Sequence, residues 1–402
     1  MTDRLDRGIL FSTGFLRSLA TGTLGVMLGI YLSELGLSAS RIGYIIGAGL
    51  AGGAVAALLL TIFGDRLPRR LTLIILALLS SAGALAAVFV HSDWALVLVS
   101  FLGMLNGMGR DRGASLVLEQ AILPQTTSDQ NRTKVFAWYN VLQDSGHAIG
   151  GLIVGFPILI GLAITSVPTL QYKYLLIFCA LLMSVTALLY SQLSLGITAA
   201  PKTKPAPVSP ETKKVVGKLS GLFLLDSLGG GFLTTALISF FFFERFGISV
   251  QQVGMLFFAA RVLNAFSHLG AAWLSRRIGL VNTMVFTHIP SSLFLASVGF
   301  APNFTIAAIF FLLREGLVEM DVPTRQSYVM AVVKPEERTF ASGATSLVRM
   351  GGWAIAPSFA GLFMEGVSMA TPLVAGAGLK IIYDILLYRS FRGLKPPEEI
   401  AA

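Results

Sequence analysis

Arginines and carboxylates recur in this sequence where apolar runs should exclude them. Arg17 sits in the run 8–32; Arg110, Asp111, Arg112 and Glu119 in 94–122; Asp144 and His147 in 135–162; Asp226 in 219–243. Arg261 and His268 fall in 253–274, and Arg314, Glu315, Glu319, Asp321 and Arg325 in 304–333. Arg349 lies in 340–363, and Lys380 with Asp384 in 367–387. Basic and acidic side chains are balanced in this set, so bulk charge names no ligand. A charge at bilayer depth costs several kcal/mol unless it pairs or faces water, and therefore marks a functional candidate.

The residue types suggest roles. Arginine stays protonated and forks onto carboxylate or phosphate, which makes Arg17, Arg110, Arg112, Arg325 and Arg349 candidate anion ligands. Asp226 and Asp321 join them as candidate substrate contacts. A carboxylate near arginine is pulled both ways, because desolvation favours its acid and the cation favours its anion. Asp111, Asp144, Asp226, Glu319 and Asp321 are accordingly candidate proton carriers. Glu315 and Glu319 share a helix face. His147 titrates near neutrality, or is a hydrogen-bonded packing residue. Lys380 and Asp384 are four apart and read as a structural pair. Pro323, within EMDVPTRQSYV from Glu319, predicts a bend among charges, either a gate or a packing kink.

The elements that carry these residues are membrane helices. Hydrophobic residues form 54% of the 402-residue chain and charged ones 13%, too few for a water-soluble surface. About 20 apolar residues span a bilayer as a helix. The remaining runs, 42–63, 71–90, 174–195 and 281–300, bring the number of spans to twelve. Their length and lack of strict alternation predict helices rather than barrel strands. The opening MTDRLDR mixes acids and bases before a long apolar run, and is not expected to be a cleaved signal. Cys179, in an apolar run, is expected to pack rather than react.

Charge placement predicts orientation. With the amino terminus inside, inner loops and tails hold nineteen Lys and Arg, whereas outer loops hold only Arg41, Lys173 and Arg245. Both termini are therefore expected in the cytoplasm, in the inner (plasma) membrane. The basic pI of about 9.8 is a topology signal and needs no nucleic acid. A Pro- and Lys-rich stretch, 196–217, divides the chain into an amino-terminal half, 1–195, and a carboxy-terminal half, 218–402.

The halves repeat. GLS from Gly36 and GIS from Gly247 are offset by 211, as are GDRLPRR from Gly64 and SRRIGLV from Ser275, and Pro124 and Pro335. With small slips, FLRSLATGTL from Phe15 falls on LLDSLGGGFL from Leu224, and HAIGGLIVG from His147 on WAIAPSFAG from Trp353. Arg17 thus meets Asp226, and Arg110 meets Asp321, each pair opposite in sign. Such charges either attract across a cavity or are held within their own halves. Duplicated halves around a midplane site form a transporter architecture.

Six plus six spans, a basic central loop and an acid- and Arg-rich turn between spans 2 and 3 resemble the Major Facilitator Superfamily. In this chain the turn offers Asp65, Arg66, Pro68, Arg69 and Arg70, with Thr61 and Pro68 where the family prefers glycine. The resemblance implies a cytoplasmic ionic latch of Asp65, Arg66, Arg69 and Arg70. It also implies cavity-lining roles for spans 1, 4, 7 and 10. Gly146, Gly150, Gly151 and Gly155 resemble the family's glycine-rich antiporter motif in span 5, although packing alone explains them.

The resulting expectation is an all-α polytopic membrane protein of twelve helices in two pseudo-symmetric halves. It is expected to be a monomeric secondary transporter, proton-coupled, for a small anionic organic solute. Proton-antiport efflux of amphipathic or cationic compounds is the alternative, and a transport-inactive receptor or sensor stands in another class. No Walker sequence and no H-E-x-x-H occur, so neither an ATPase nor a zinc enzyme is indicated, and no metal or cofactor is expected.

Overall fold

A computed structural model describes residues 2–63, 67–90, 92–128, 131–157, 167–194, 208–331, 333–334 and 337–391. Among them every regular element is helical. Unbroken helices form most of the spans: α1 (Thr2–Glu34), α2 (Ala39–Phe63), α3 (Arg69–Phe89), α6 (Arg132–Gly155), α7 (Pro168–Tyr190), α10 (Val250–Ile278), α11 (Leu280–Gly299), α14 (Arg338–Gly366) and α15 (Thr371–Phe391). Three spans are each built from two helices: α4 (Asp93–Gly103) with α5 (Ala114–Ile122), α8 (Pro210–Gly231) with α9 (Thr235–Phe246), and α12 (Phe304–Val318) with α13 (Asp321–Ala331). Nine runs among the described residues are long and apolar enough to cross a membrane. Their outward side chains are apolar too: Leu58, Leu59 and Ile62 on α2, and Leu71, Ile75 and Leu78 on α3, are exposed. A helix apolar on all sides belongs in lipid.

The broken spans correct the sequence reading in two places, 94–122 and 219–243, the latter interrupted at Phe232–Thr234 between α8 and α9. The stretch 94–122 is not one helix: Met104–Gly113 is unwound, with Met104 and Gly109 in the left-handed region at φ 51° and 72°. Gly103, Gly107, Gly109 and Gly113 favour that departure, since glycine loses most on entering a helix. The stretch 304–333 is interrupted at Glu319–Met320, ahead of Pro323 in the first turn of α13, within the stretch where the sequence predicts a bend. At the repeat offset the breaks in 94–122 and 304–333 coincide, Gly109 falling on Met320. At 196–217, helix α8 already begins at Pro210, with Ser209 as its N-cap and proline at the first helical position, where its missing N–H costs nothing.

The described chain forms two compact units. One comprises 1–202 and 234–258, the other 203–233 and 259–402. In the first unit α1 packs against α6, α7 and α9, and α3 against α7 and α4. Close approach of α1 and α6 rests on glycine: a Cβ on Gly150 would lie 2.3 Å from the Leu19 carbonyl, and one on Gly22 would lie 2.4 Å from that of His147. In the second unit α8 packs on α14 and α15, and α11 on α12, α13 and α15. Its apolar core joins Leu219, Phe223, Met284, Tyr328, Tyr383 and Phe391.

Candidate functional site

Backbone unwound inside a membrane must find partners within the protein. The segment Met104–Gly113 does so largely through side chains. Asn106 donates from Nδ2 to the Arg110 carbonyl at 2.8 Å and accepts the Met108 N–H on Oδ1 at 2.9 Å. The Asp111 N–H donates to His147 Nε2 at 2.8 Å. Because an amide can only donate, this ring nitrogen carries no proton, and His147 is neutral here. The start of α9 supplies the rest: Ala236 N–H donates to the Gly107 carbonyl at 3.0 Å and Thr235 Oγ1 to that of Met108 at 2.9 Å. Helix N-termini have spare N–H groups, which suits α9 to this task.

The segment delivers Asp111 to Arg17. Arg17 Nε donates to Asp111 Oδ2 at 2.9 Å, and its Nη1 lies 2.5 Å from Glu119 Oε1 on α5. Two tyrosines close the network. Tyr190 on α7 accepts from Arg17 at 2.5 Å and donates to Glu119 at 2.6 Å; Tyr139 on α6 donates to the other Glu119 oxygen. Thr13 adds a hydroxyl donor at 2.5 Å. Arg17, Glu119, Tyr139 and Tyr190 are buried, and every charge among them is answered. One cation faces two carboxylates, so this cluster is net anionic. Arg110 and Arg112 lie on the same unwound segment, half-buried.

The second unit holds a larger network around Asp226 of α8. Lys380 Nζ on α15 donates to its Oδ1 at 2.7 Å, while Arg349 on α14 and Arg325 on α13 approach Oδ2 at 3.2 and 3.5 Å. Arg325 also binds Asp321, its neighbour one turn away. The guanidinium groups of Arg325 and Arg349 lie 5.5 and 5.9 Å from the Phe223 ring centre, and Arg349 lies 4.9 Å from that of Trp353. Such placement over an aromatic ring favours a cation. Arg349 Nη1 meets Asp226 as an ion pair without hydrogen-bond alignment, and among the described residues the buried Asp321 Oδ1 has no hydrogen-bond partner.

Lys380 and Asp384 are not each other's partners, contrary to their four-residue spacing. Lys380 reaches Asp226, whereas Asp384 meets His288 Nδ1 of α11, 3.0 Å from both carboxylate oxygens. Arg17 and Asp226 are each held within their own unit. Glu319 is buried, 3.8 Å from His268 Nε2. Asp144 is exposed on α6 and stands outside both networks. Of the expected latch, Asp65 and Arg66 lie outside the described residues; Arg69 is buried at the start of α3, and Arg70 donates to the Ser191 carbonyl beyond α7. No group of three metal-ligating side chains occurs among the described residues.

The second network thus gathers Asp226, Asp321, Arg325 and Arg349 from the sequence candidates, and the first gathers Arg17 and Asp111. The sequence does not single out Tyr139, Tyr190 or His288, marks Glu119 only as a charge in a span, and pairs Asp384 with Lys380 rather than with His288.

Comparison with known proteins places these networks in context. The family description "Major Facilitator Superfamily" matches residues 10–357 and again 219–401. An uncharacterized membrane protein of Saccharomyces cerevisiae, YJR124C, is 24% identical over 97% of this chain and 94% of its own length. The multidrug resistance protein MdtG of Salmonella heidelberg is 29% identical, over 42% of this chain and 39% of that protein. Among solved structures, the nucleoside transporter NupG superposes with a TM-score of 0.76 at 17% identity, covering 96% of this chain and 99% of that one. A D-xylose–proton symporter gives 0.75 at 12% identity, over 97% and 98%. At these identities the structural likeness establishes the fold alone.

Proposed function

The chain belongs to the Major Facilitator Superfamily of membrane transporters, and we propose that it is a proton-coupled secondary transporter of a small organic solute. It works as a monomer by alternating access between a six-span half, 1–195, and a second, 218–402. The observation that carries this reading is the pair of dehydrated charge networks at broken spans. Buried ion pairs are a poor source of stability, since well-packed apolar residues do as well or better. Two such networks therefore support a role in binding and exchange of charge.

The anionic solute is the leading reading, and Arg349 carries it. Its Nη1 meets Asp226 at 3.2 Å without hydrogen-bond alignment, and with the flanking rings Phe223 and Trp353 this suits a carboxylate or phosphate attached to an organic body. Arg110, Arg112 and Arg325 are further candidate ligands. Asp111, Asp226, Glu319 and Asp321 are the candidate proton carriers, with Asp144 retained as a weaker one. The second reading, efflux of amphipathic or cationic compounds, is favoured by the partial similarity to MdtG and by the net negative charge of the Arg17 cluster.

Thermal-shift screening of the purified protein against carboxylates, phosphates and lipophilic cations, at two pH values, separates the readings. The best stabiliser is then followed in proteoliposomes under an imposed pH gradient. Stabilisation by organic anions that Arg349→Ala abolishes supports the first; stabilisation by cations supports the second. Transport unaffected by collapsing the gradient refutes proton coupling, and absence of any transport favours a receptor. We place both termini and the 196–217 segment in the cytoplasm, and the chain in the plasma membrane. Ser209→Cys in a Cys179→Ala background should then react in intact cells only with a membrane-permeant reagent.

A further inference from the structure

Asp226 is one end of a chain of buried polar groups that leaves the ligand-facing arginines and runs to α11. Lys380 Nζ lies 2.7 Å from Asp226 Oδ1 and 3.4 Å from His288 Nε2; His288 Nδ1 lies 3.0 Å from both oxygens of Asp384. Asp384 is fully buried, and His288, Lys380 and Asp226 nearly so. From this geometry we infer that His288 and Asp384 form a proton store, loaded from Asp226 through Lys380. The inference rests on the proton-coupled reading above and names where the proton resides.

The tautomer follows from the neighbours. Lysine can only donate, so Nε2 of a neutral His288 is the acceptor, and Nδ1 carries the proton that Asp384 accepts. Loading then needs two short transfers. The N–H bond of Lys380 nearest Nε2 breaks as an N–H bond forms on the imidazole. The lone pair left on Nζ takes the proton of a protonated Asp226, whose O–H bond breaks. Lysine is again an ammonium ion beside an Asp226 carboxylate, and the net change is one proton moved to His288. Asp384 supplies the counter-charge.

Electrostatics favour an ionised Asp226, while the Lys380 ammonium 3.4 Å from Nε2 opposes the imidazolium and Asp384 offsets it. Asp226 is ringed by Lys380, Arg325 and Arg349, so a proton there meets three cations. Asp384 has no cation but His288 among its described partners. The other charged or titratable groups around His288 are few. Tyr383 of α15 sets its ring edge-on to the imidazole, with centroids 6.1 Å apart. Helix α13, packed on α11, brings Asp321 and Arg325, which bind one another. Helix α12, also packed on α11, carries Arg314 and Glu315, likewise bound together.

Nitrogen-15 histidine NMR of the full chain in nanodiscs tests the store directly, since there are only four histidines to resolve. His288 is assigned by His288→Gln or, should that variant fold poorly, by elimination using variants at His91, His147 and His268. We expect its alkaline form to be protonated at Nδ1 alone, with acidification converting it to imidazolium. A dye-monitored pH jump should show the wild type taking up one more proton per chain than His288→Gln. Lys380→Met should slow that uptake at least tenfold. A His288 that stays neutral on acidification, or a His288→Gln variant with undiminished uptake, overturns the store. Gradient-driven transport with a silent His288 refutes the store and leaves proton coupling standing. A loaded His288 in a protein whose transport ignores the gradient refutes the coupling instead.

Discussion

Replacing Asp226 by Asn removes one of the two carboxylates, Asp226 and Asp321, that face Arg325, Arg349 and Lys380, and increases the network's excess of positive charge. The side chain is only 4% exposed, so solvent screens little of the loss. Breaking one partner out of a buried pair costs about 3–5 kcal/mol. For a body of 150–250 residues, about 2–4 °C of melting temperature accompanies each kcal/mol, which puts the expected fall at roughly 6–20 °C. Lys380→Met should cost a similar amount by stranding Asp226 between two longer contacts. The Asp226→Leu, Lys380→Met double variant removes one charge of each sign and keeps the network's wild-type net charge. It should recover more than half of the larger single loss, because partners in direct contact do not lose stability additively. Tryptophan-fluorescence melts in a fixed detergent, with folded yield from size-exclusion chromatography, give the three values. Single variants within about 2 °C of the wild type, or a double variant that melts at the sum of the two losses, would show that the 2.7 Å contact carries no coupling.

Three further outcomes follow from geometry. Gly150→Ala should destabilise by about 1–3 kcal/mol, since its methyl group meets backbone of α1, whereas Gly53→Ala, with nothing within 4 Å, should be neutral or slightly stabilising in the same melts. Asn106→Ala strips two bonds from the unwound segment, which should cost about 1–3 kcal/mol and speed hydrogen exchange at the Met108 amide. Glu337, in the loop before α14, accepts from Thr212 and from the N–H and hydroxyl of Ser209, bonds that with nearby Lys334 hold its carboxyl below the usual glutamate value. Its anion therefore secures the start of α8 at pH above the ordinary value, and this protection fades as pH falls through the lowered one. Exchange at the Ser209 amide should rise with acidification, and Glu337→Gln should abolish that pH dependence.

Span number, helical class and the Arg17, Asp226, Asp321, Arg325 and Arg349 positions were legible because charge is conspicuous in apolar runs. Partners were not. The four-residue rule brings Lys380 and Asp384 onto one helix face but says nothing about α8 or α11, which offer each a closer counterpart. His288 carried no spacing signal, and Tyr139 and Tyr190 read as ordinary aromatic packing until the fold turned their hydroxyls onto Glu119. The unwound Met104–Gly113 was hidden by its apolar flanks. Its three glycines and Asn106 were the available clue, and they become decisive only when α9 supplies donors for the freed carbonyls.

That donation has a consequence for biogenesis. The compact unit containing Arg17 is discontinuous in the chain, drawing on 1–202 and on 234–258. A ribosome that has released six spans has made Gly107 and Met108 but not the Ala236 amide and Thr235 hydroxyl that satisfy them. The first half to emerge must therefore wait, with polar backbone inside the bilayer, until synthesis has passed the central segment and begun the second. Separately expressed fragments cut at that segment would inherit the same deficit, and would complement one another only by returning 234–258 to the fragment that lacks it.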